Sequence, residues 1–228
     1  MKGWKTNVIK GAIFDMDGTL LDSMPVWEHA SERYLQSKGI EVEERLSEVL
    51  FTMSMQQGAA YVKEKYHLTE DINTLVNAVN DIVYGAYEKE VMPKEGVVLF
   101  LETLEAAGIP MVVATSTDRR MVEVALRRTG LARFFKGVFT CSEIGKGKRE
   151  PDIYHAAAEC LGTKPEETWV FEDALYAIKT AKGAGFHIVG LYDLSSADEQ
   201  EEIKHLSEIY REKLTDATDM IEMMRKAD

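Results

Sequence analysis

The sequence predicts an α/β protein: a doubly wound, Rossmann-like parallel sheet core carrying an inserted α-helical domain. Three observations lead there. Apolar runs of strand length alternate with segments of helical periodicity through the second half of the chain. The first such run stands apart, because residues 15–109 hold no second clear one and read instead as successive amphipathic helices. Finally, 228 residues with 45% hydrophobic and 29% charged side chains is ordinary globular usage, enough for one large domain plus a smaller one and unlike disorder, collagen or a coiled coil.

The first strand runs from Val8 to Phe14 and ends on an acidic string. Helices are expected over Trp27 to Lys38, Glu43 to Leu50, Gln56 to Tyr66 and Asp71 to Lys89, with breaks near Gly39, Gly58 and His67. They make a helical domain of residues 21–90, inserted between core segments 1–20 and 91–228. Its linkers lie around Leu20 to Met24 and Glu90 to Glu95, the second carrying Pro93. The insertion holds 13 acidic residues against 6 basic ones, which reads as solvated helix faces. The remaining strands, Pro110 to Ala114, Gly137 to Thr140, Thr168 to Phe171 and His187 to Leu191, alternate with helices. These are Val97 to Ala107, Arg119 to Thr129, Ile153 to Leu161 and Ala174 to Ala184. Such βαβ units bury a parallel sheet on both faces and leave ligand crevices at the carboxyl ends of its strands. Beyond Leu191, Ser196 to Glu208 reads as a surface helix, Ile209 and Tyr210 as an edge strand, and Ala217 to Met224 as a terminal helix.

Charge and cysteine usage narrow the partners. Lys plus Arg is 27 against 39 Asp plus Glu, a net of −12, which repels nucleic-acid backbones and anionic lipid. Neither nucleic acid nor a membrane is an expected partner. Cys141 and Cys160 are too few for a disulfide framework and lack metal-ligand spacing, so they read as ordinary buried thiols in a reducing compartment. The opening apolar stretch is too short for a signal segment and no apolar run reaches the length of a membrane span. The cytoplasm is therefore the expected location, and a monomer the expected state, since no long exposed apolar stripe is evident.

Four predicted strand ends carry residues that can do chemistry. In Ile13-Phe14-Asp15-Met16-Asp17-Gly18-Thr19-Leu20, a carboxylate closes a buried strand and a second follows two residues on. Two acids so close ionise together only with a cation nearby. Gly18 permits a tight turn, and Thr19 can hydrogen-bond a carboxylate or the turn backbone. Alone, an Asp-Gly turn after a strand is common. Thr115 and Ser116 follow the second strand with hydroxyls and backbone N–H groups before a helix, suited to an anion though equally to a helix cap. Lys148 precedes a helix start and can place a point charge on a phosphoryl oxygen, although a lysine in a Gly-rich loop is usually solvated. Glu172 and Asp173 end a fourth strand with hard oxygen ligands suited to Mg²⁺.

Taken in order, Asp-x-Asp-Gly-Thr, Thr-Ser, Lys and Glu-Asp resemble the four motifs of the haloacid dehalogenase (HAD) superfamily across Ile13 to Leu191. The helical insertion after the first motif resembles the C1 cap of its β-phosphoglucomutase-like branch. The resemblance implies a phosphoryl-transfer enzyme, since dehalogenases of the superfamily have only the first of the paired carboxylates. It implies Asp15 as nucleophile forming an aspartyl-phosphate and Asp17 as general acid and base. It also implies Mg²⁺ held by the Asp15 carboxylate, the Asp17 backbone carbonyl and Asp173, with Glu172 adjacent, and a phosphate clamp of Thr115, Ser116 and Lys148. The expected activity is hydrolysis of a small phosphomonoester, a sugar phosphate or similar metabolite. Two departures stand out. Ala174 and Ala177 occupy positions that are Ser and Gly in many relatives, and Arg149 replaces a Pro in the third motif.

In this branch the cap selects the substrate. The candidate linings are Met24, Trp27, Glu28 and the stretch Phe51 to Gln57, residue types that at helical spacing also serve as core. A phosphosugar mutase is the alternative; it needs a cap cation for a second phosphate, and no basic residue falls between Arg45 and Lys63. Arg119 and Arg120 remain as basic candidates beside the second motif. A non-enzymatic phospho-receiver module also uses Asp, Thr and Lys, but keeps its acidic pair and phosphorylated Asp on separate strands and has no helical insertion.

Overall fold

A computed structural model of the chain describes residues 9–51, 53–215 and 217–226. Val8 and Thr52, assigned above to the first strand and the cap stretch, lie outside them. The chain forms two compact units, one built from residues up to Asp22 and from Met92 onward, the other from Ser23–Val91.

The larger unit is built on six parallel strands: β1 (Gly11–Phe14), β2 (Met111–Thr115), β3 (Phe135–Thr140), β4 (Thr168–Glu172), β5 (His187–Leu191) and β6 (Ile209–Arg211). Their order is β3-β2-β1-β4-β5-β6, so β1 lies between β2 and β4 and the chain winds outward in both directions from it. Six helices join or follow them: α5 (Val97–Ala106), α6 (Arg119–Arg128), α8 (Asp152–Leu161), α9 (Leu175–Gly183), α10 (Gln200–Leu206) and α11 (Thr218–Lys226), with a single-turn α7 (Cys141–Ile144) after β3. Alternate residues of a strand face opposite sides. Hence Ile13, Val112, Val170 and Ile188 meet Ile153, Ala157, Ile178, Ala181 and Ile203 of α8, α9 and α10 on one face. Phe14 points the other way and stacks on Phe171 at 4.2 Å, with Phe100 of α5 edge-on to both. Both faces are buried, which is why these strands are continuous apolar runs.

The chain leaves and re-enters this unit through paired backbone. Asp22 N–H donates to Met92 O and Lys94 N–H to Leu20 O, each at 2.9 Å, around an antiparallel bridge of Leu21 with Pro93.

The smaller unit is entirely helical: α1 (Met24–Ser37), α2 (Leu46–Phe51), α3 (Met55–Lys65) and α4 (Ile72–Lys89). Pro25 sits in the first turn of α1, where its missing N–H costs no helical bond. Ser54 and Gln57 form a reciprocal capping box on α3, and Asp71 accepts from Thr74 N–H to cap α4. Trp27 donates its indole N–H to the Tyr87 hydroxyl at 2.9 Å, tying α1 to α4. A cavity of about 160 Å³ within this unit is lined by Trp27, Glu28, Met53, Met55, Val76 and Val79 among others, so Trp27 and the methionines border space rather than only packing into a core.

Four expectations are corrected. Gly58 does not break a helix; it lies buried inside α3, close under Leu50. The expected surface helix from Ser196 to Glu208 is a short turn of 194–199 followed by α10, with non-helical backbone at Ser196. It is also not superficial, because Ile203 is fully buried against the sheet. The helix expected from Glu43 starts only at Leu46, after Arg45 takes a positive φ of 68°. Cys160 is exposed and Cys141 half-buried: α8 turns Ile153, Tyr154, Ala157 and Ala158 inward, which leaves Cys160 on the other side. Among the described residues no helix is long and apolar enough to cross a membrane.

Candidate active site

The carboxyl ends of β1, β2 and β4 converge because those strands are neighbours in the sheet. Asp15 directly follows β1, and its N–H donates to Phe171 O of β4 at 3.0 Å, so the strand pairing fixes where its side chain starts. Glu172 is the last residue of β4, and Asp173 follows it. Asp15, Glu172 and Asp173 are 7%, 1% and 4% exposed, and each offers one oxygen within 4.8 Å of the others.

Three carboxylates so placed repel one another, and only one cation among the described side chains stands in their midst. Lys148, 3% exposed, donates to Asp15 Oδ1 and to Glu172 Oε2, the latter at 2.7 Å. The second oxygen of Glu172 accepts the N–H groups of Asp173 and Ala174, each at 3.2 Å. Glu172 is thus held at both ends, and Tyr154 Oη reaches its Oε2 at 3.4 Å. Burial, then the charge of Glu172, pushes the Asp15 carboxyl up to about 8 despite Lys148. Burial opposes the charge on Lys148 too, but Asp15 and Glu172 outweigh it and hold the ammonium well above the usual lysine range. Asp173 is likewise raised, by burial first and then by Glu172 and Asp15.

The donor set fits a small hard cation. It consists of carboxylate oxygens alone, it is sequestered, and its negative charge exceeds what one lysine offsets, which adds to burial in raising the two aspartic acids. Asp15, Asp173 and Glu172 are the side chains able to hold one.

The turn after β1 is shaped to lie against Asp173. Gly18 has φ of 83°, and a Cβ there would sit 2.4 Å from Asp173 Oδ2. Thr19 donates its hydroxyl to Asp173 Oδ1 at 2.8 Å, so the carboxylate it serves is on β4 rather than in its own turn. Asp17, half-buried, accepts from Thr117 Oγ1 at 2.7 Å. Thr115 is 1% exposed and ends β2, its hydroxyl accepting Thr117 N–H at 3.1 Å, while Ser116 is exposed beside Cys141. The helix that follows begins at Arg119, as expected, with Asp118 at its cap, so an anion at 115–116 would meet the N–H groups of the intervening loop. Arg119 is tied up elsewhere: it pairs with both oxygens of Glu143 and donates to Val138 O at 2.7 Å.

Thr117, Tyr154 and Lys94 were not read from the sequence. Lys94 donates to Gly18 O at 2.6 Å, Tyr192 O at 2.9 Å and Asp193 Oδ2 at 2.8 Å, clamping the turn after β1 to the end of β5. Thr117 had a signal, being two residues past Thr115 as Asp17 is past Asp15. Lys94 had none, since its partners lie 76 to 99 residues away.

A family model described as haloacid dehalogenase-like hydrolase matches residues 12–191. The chain belongs to the haloacid dehalogenase-like hydrolases. Within that family it is 28% identical over 177 residues to a phosphorylated carbohydrates phosphatase of Thermotoga maritima, covering 78% of this chain and 82% of that one. It is 30% identical over 184 residues to hexitol phosphatase A of Escherichia coli, covering 80% and 82%. Among solved structures, a putative β-phosphoglucomutase from Thermotoga maritima aligns over 96% of this chain and 99% of its own with a TM-score of 0.80. At 24% identity, that likeness concerns the haloacid dehalogenase fold alone.

Proposed function

We propose that this haloacid dehalogenase-like hydrolase is a Mg²⁺-dependent phosphatase that cleaves a small phosphomonoester, a sugar phosphate or similar metabolite, through a phosphoaspartyl intermediate on Asp15. The observation that carries the reading is the buried trio of Asp15, Glu172 and Asp173 around Lys148 at adjoining strand ends. The named phosphatases among its relatives support the same class of reaction.

In this reading Asp15 attacks phosphorus, a P–O bond forms to its carboxylate, and the bond to the leaving oxygen breaks. Asp17 gives that oxygen its proton, then takes one from the water that attacks the phosphoaspartate, releasing phosphate and restoring Asp15. Thr117 aims the Asp17 carboxylate for both transfers. Lys148, Thr115 and Ser116 bind phosphoryl oxygens, with Glu172 orienting the ammonium of Lys148. The Asp15 and Asp173 carboxylates and the Asp17 carbonyl, with Glu172 beside them, would hold Mg²⁺, which when bound would offset the charge between an anionic nucleophile and an anionic phosphate. The helical unit is the proposed lid and selectivity element. Its cavity lining includes Glu28 and no Lys or Arg, which favours hydrolysis over a mutase that must hold a second phosphate there.

The test is release of p-nitrophenol from p-nitrophenyl phosphate by the wild-type protein with Mg²⁺ and with EDTA, beside Asp15→Asn. We expect turnover only in the first case. Turnover that survives Asp15→Asn, or its absence in the wild type, defeats the reading.

A further inference from the structure

Arg149 directly follows Lys148, and the structure places its side chain over the ring of Tyr176. The guanidinium carbon lies 5.0 Å from the centre of the Tyr176 ring. Tyr176 lies in the first turn of α9, three residues past Asp173, and burial first, then the charge of Glu172, raises its pKa. With Arg149 next to Lys148 in the chain and its ring partner three residues past Asp173, both members of the stack are tethered to residues of the candidate site.

The other basic side chains nearby are engaged. Lys148 is held by Asp15 and Glu172, Lys146 by Glu150 and Asp152, and Arg119 by Glu143. Arg149 is exposed, and among the described residues it makes no ion pair or hydrogen bond. Stacking on a ring covers one face of a guanidinium and pins its plane, leaving the N–H donors at its edge free to form a planar fork. That fork matches two oxygens of one anion.

We propose that Arg149, seated on Tyr176, binds a second anionic group of the substrate, so that the favoured phosphomonoesters carry a carboxylate or a further phosphate besides the one cleaved. This deepens the phosphatase reading and rests on it. Arg149 remains fixed next to Lys148 in the chain, whereas an arginine in the helical unit would act from a separate compact unit. Arg149 therefore supplies a cation that the lining of the helical cavity does not.

Two matched pairs of substrates test it: glycerol 3-phosphate against 3-phosphoglycerate, and fructose 6-phosphate against fructose 1,6-bisphosphate, each with Mg²⁺. In Arg149→Ala, kcat/KM for the more anionic member of at least one pair is expected to fall about tenfold further than for its partner, mostly through KM. Arg149→Lys should restore part of the difference, and Tyr176→Leu, which removes the platform, should reproduce it. Selectivity in the first pair alone assigns a carboxylate, and in the second alone a phosphate. Equal losses within both pairs, or none, overturn the proposal. If the wild type also fails on p-nitrophenyl phosphate, it is the phosphatase reading that has failed.

Discussion

At the scale of single residues, Lys148 carries the most. Among the described residues it is the one cation buried among three carboxylates, so replacing it with Met removes a proposed phosphate contact and leaves Asp15 and Glu172 without their counter-charge. We expect Lys148→Met to lower kcat/KM on p-nitrophenyl phosphate by about 10²- to 10³-fold, the usual effect of deleting a charge aimed at the transition state. Circular dichroism would confirm a folded variant, and activity within threefold of wild type would contradict the assignment. Asp15, Asp17, Glu172 and Asp173 could be singled out from the sequence because each lies at or just beyond the end of an apolar run, and strand ends are where a parallel sheet leaves a crevice. The hydrogen bonds that fix their orientations could not. Thr19 reaches across 154 residues of chain to Asp173, and Thr117 across 100 to Asp17. Local spacing marks Thr117 as a candidate, but it encodes neither its partner nor that of Thr19.

Among elements, the strands were the most legible, since a buried parallel strand is a short run dominated by apolar residues and shows itself without help from its neighbours. Elements whose form depends on tertiary contacts were not. The four-residue α7 is too short for any periodicity, and the break before α10 comes from Ser196, whose backbone leaves helical geometry where Gln200 donates to its carbonyl and hydroxyl. The loop after β1 shows the same dependence, because Lys94 holds it through Gly18 O while pairing with Asp193, which is 6% exposed. Lys94→Met leaves that carboxylate its Ser195 contacts but no counter-charge, and removing one partner of a largely buried pair costs about 3 kcal/mol. Urea denaturation should show a loss of about this size, and a loss below about 1 kcal/mol would mean that water replaces the ammonium without penalty.

For the molecule as a whole, the crowded acids make stability depend on pH and on cations together. In the cation-free protein, burial and the charge of Glu172 hold Asp15 at about 8, against 3.8 for an ordinary Asp. A carboxyl raised in this way favours the folded state fully below its unfolded pKa and loses that contribution as pH climbs through the folded value. Cation-free stability should therefore decline between about pH 4 and pH 8. A divalent cation takes the ionised carboxylates, so Mg²⁺ should raise Tm more at pH 8 than at pH 5. Thermal unfolding in EDTA and in Mg²⁺ at the two pH values checks this, and equal shifts would refute it. The paired backbone at residues 20–22 and 92–94 has a consequence of another kind. Because exit and return are hydrogen-bonded to each other inside the sheet unit, everything from Ser23 to Val91 hangs from a single stitch, and the sheet's own bonding is complete without it. A protein built this way offers two splice points that adjoin in space, and under the proposed function exchanging that cassette for a relative's would change substrate preference while the strand ends that carry Asp15 and Asp173 stay untouched.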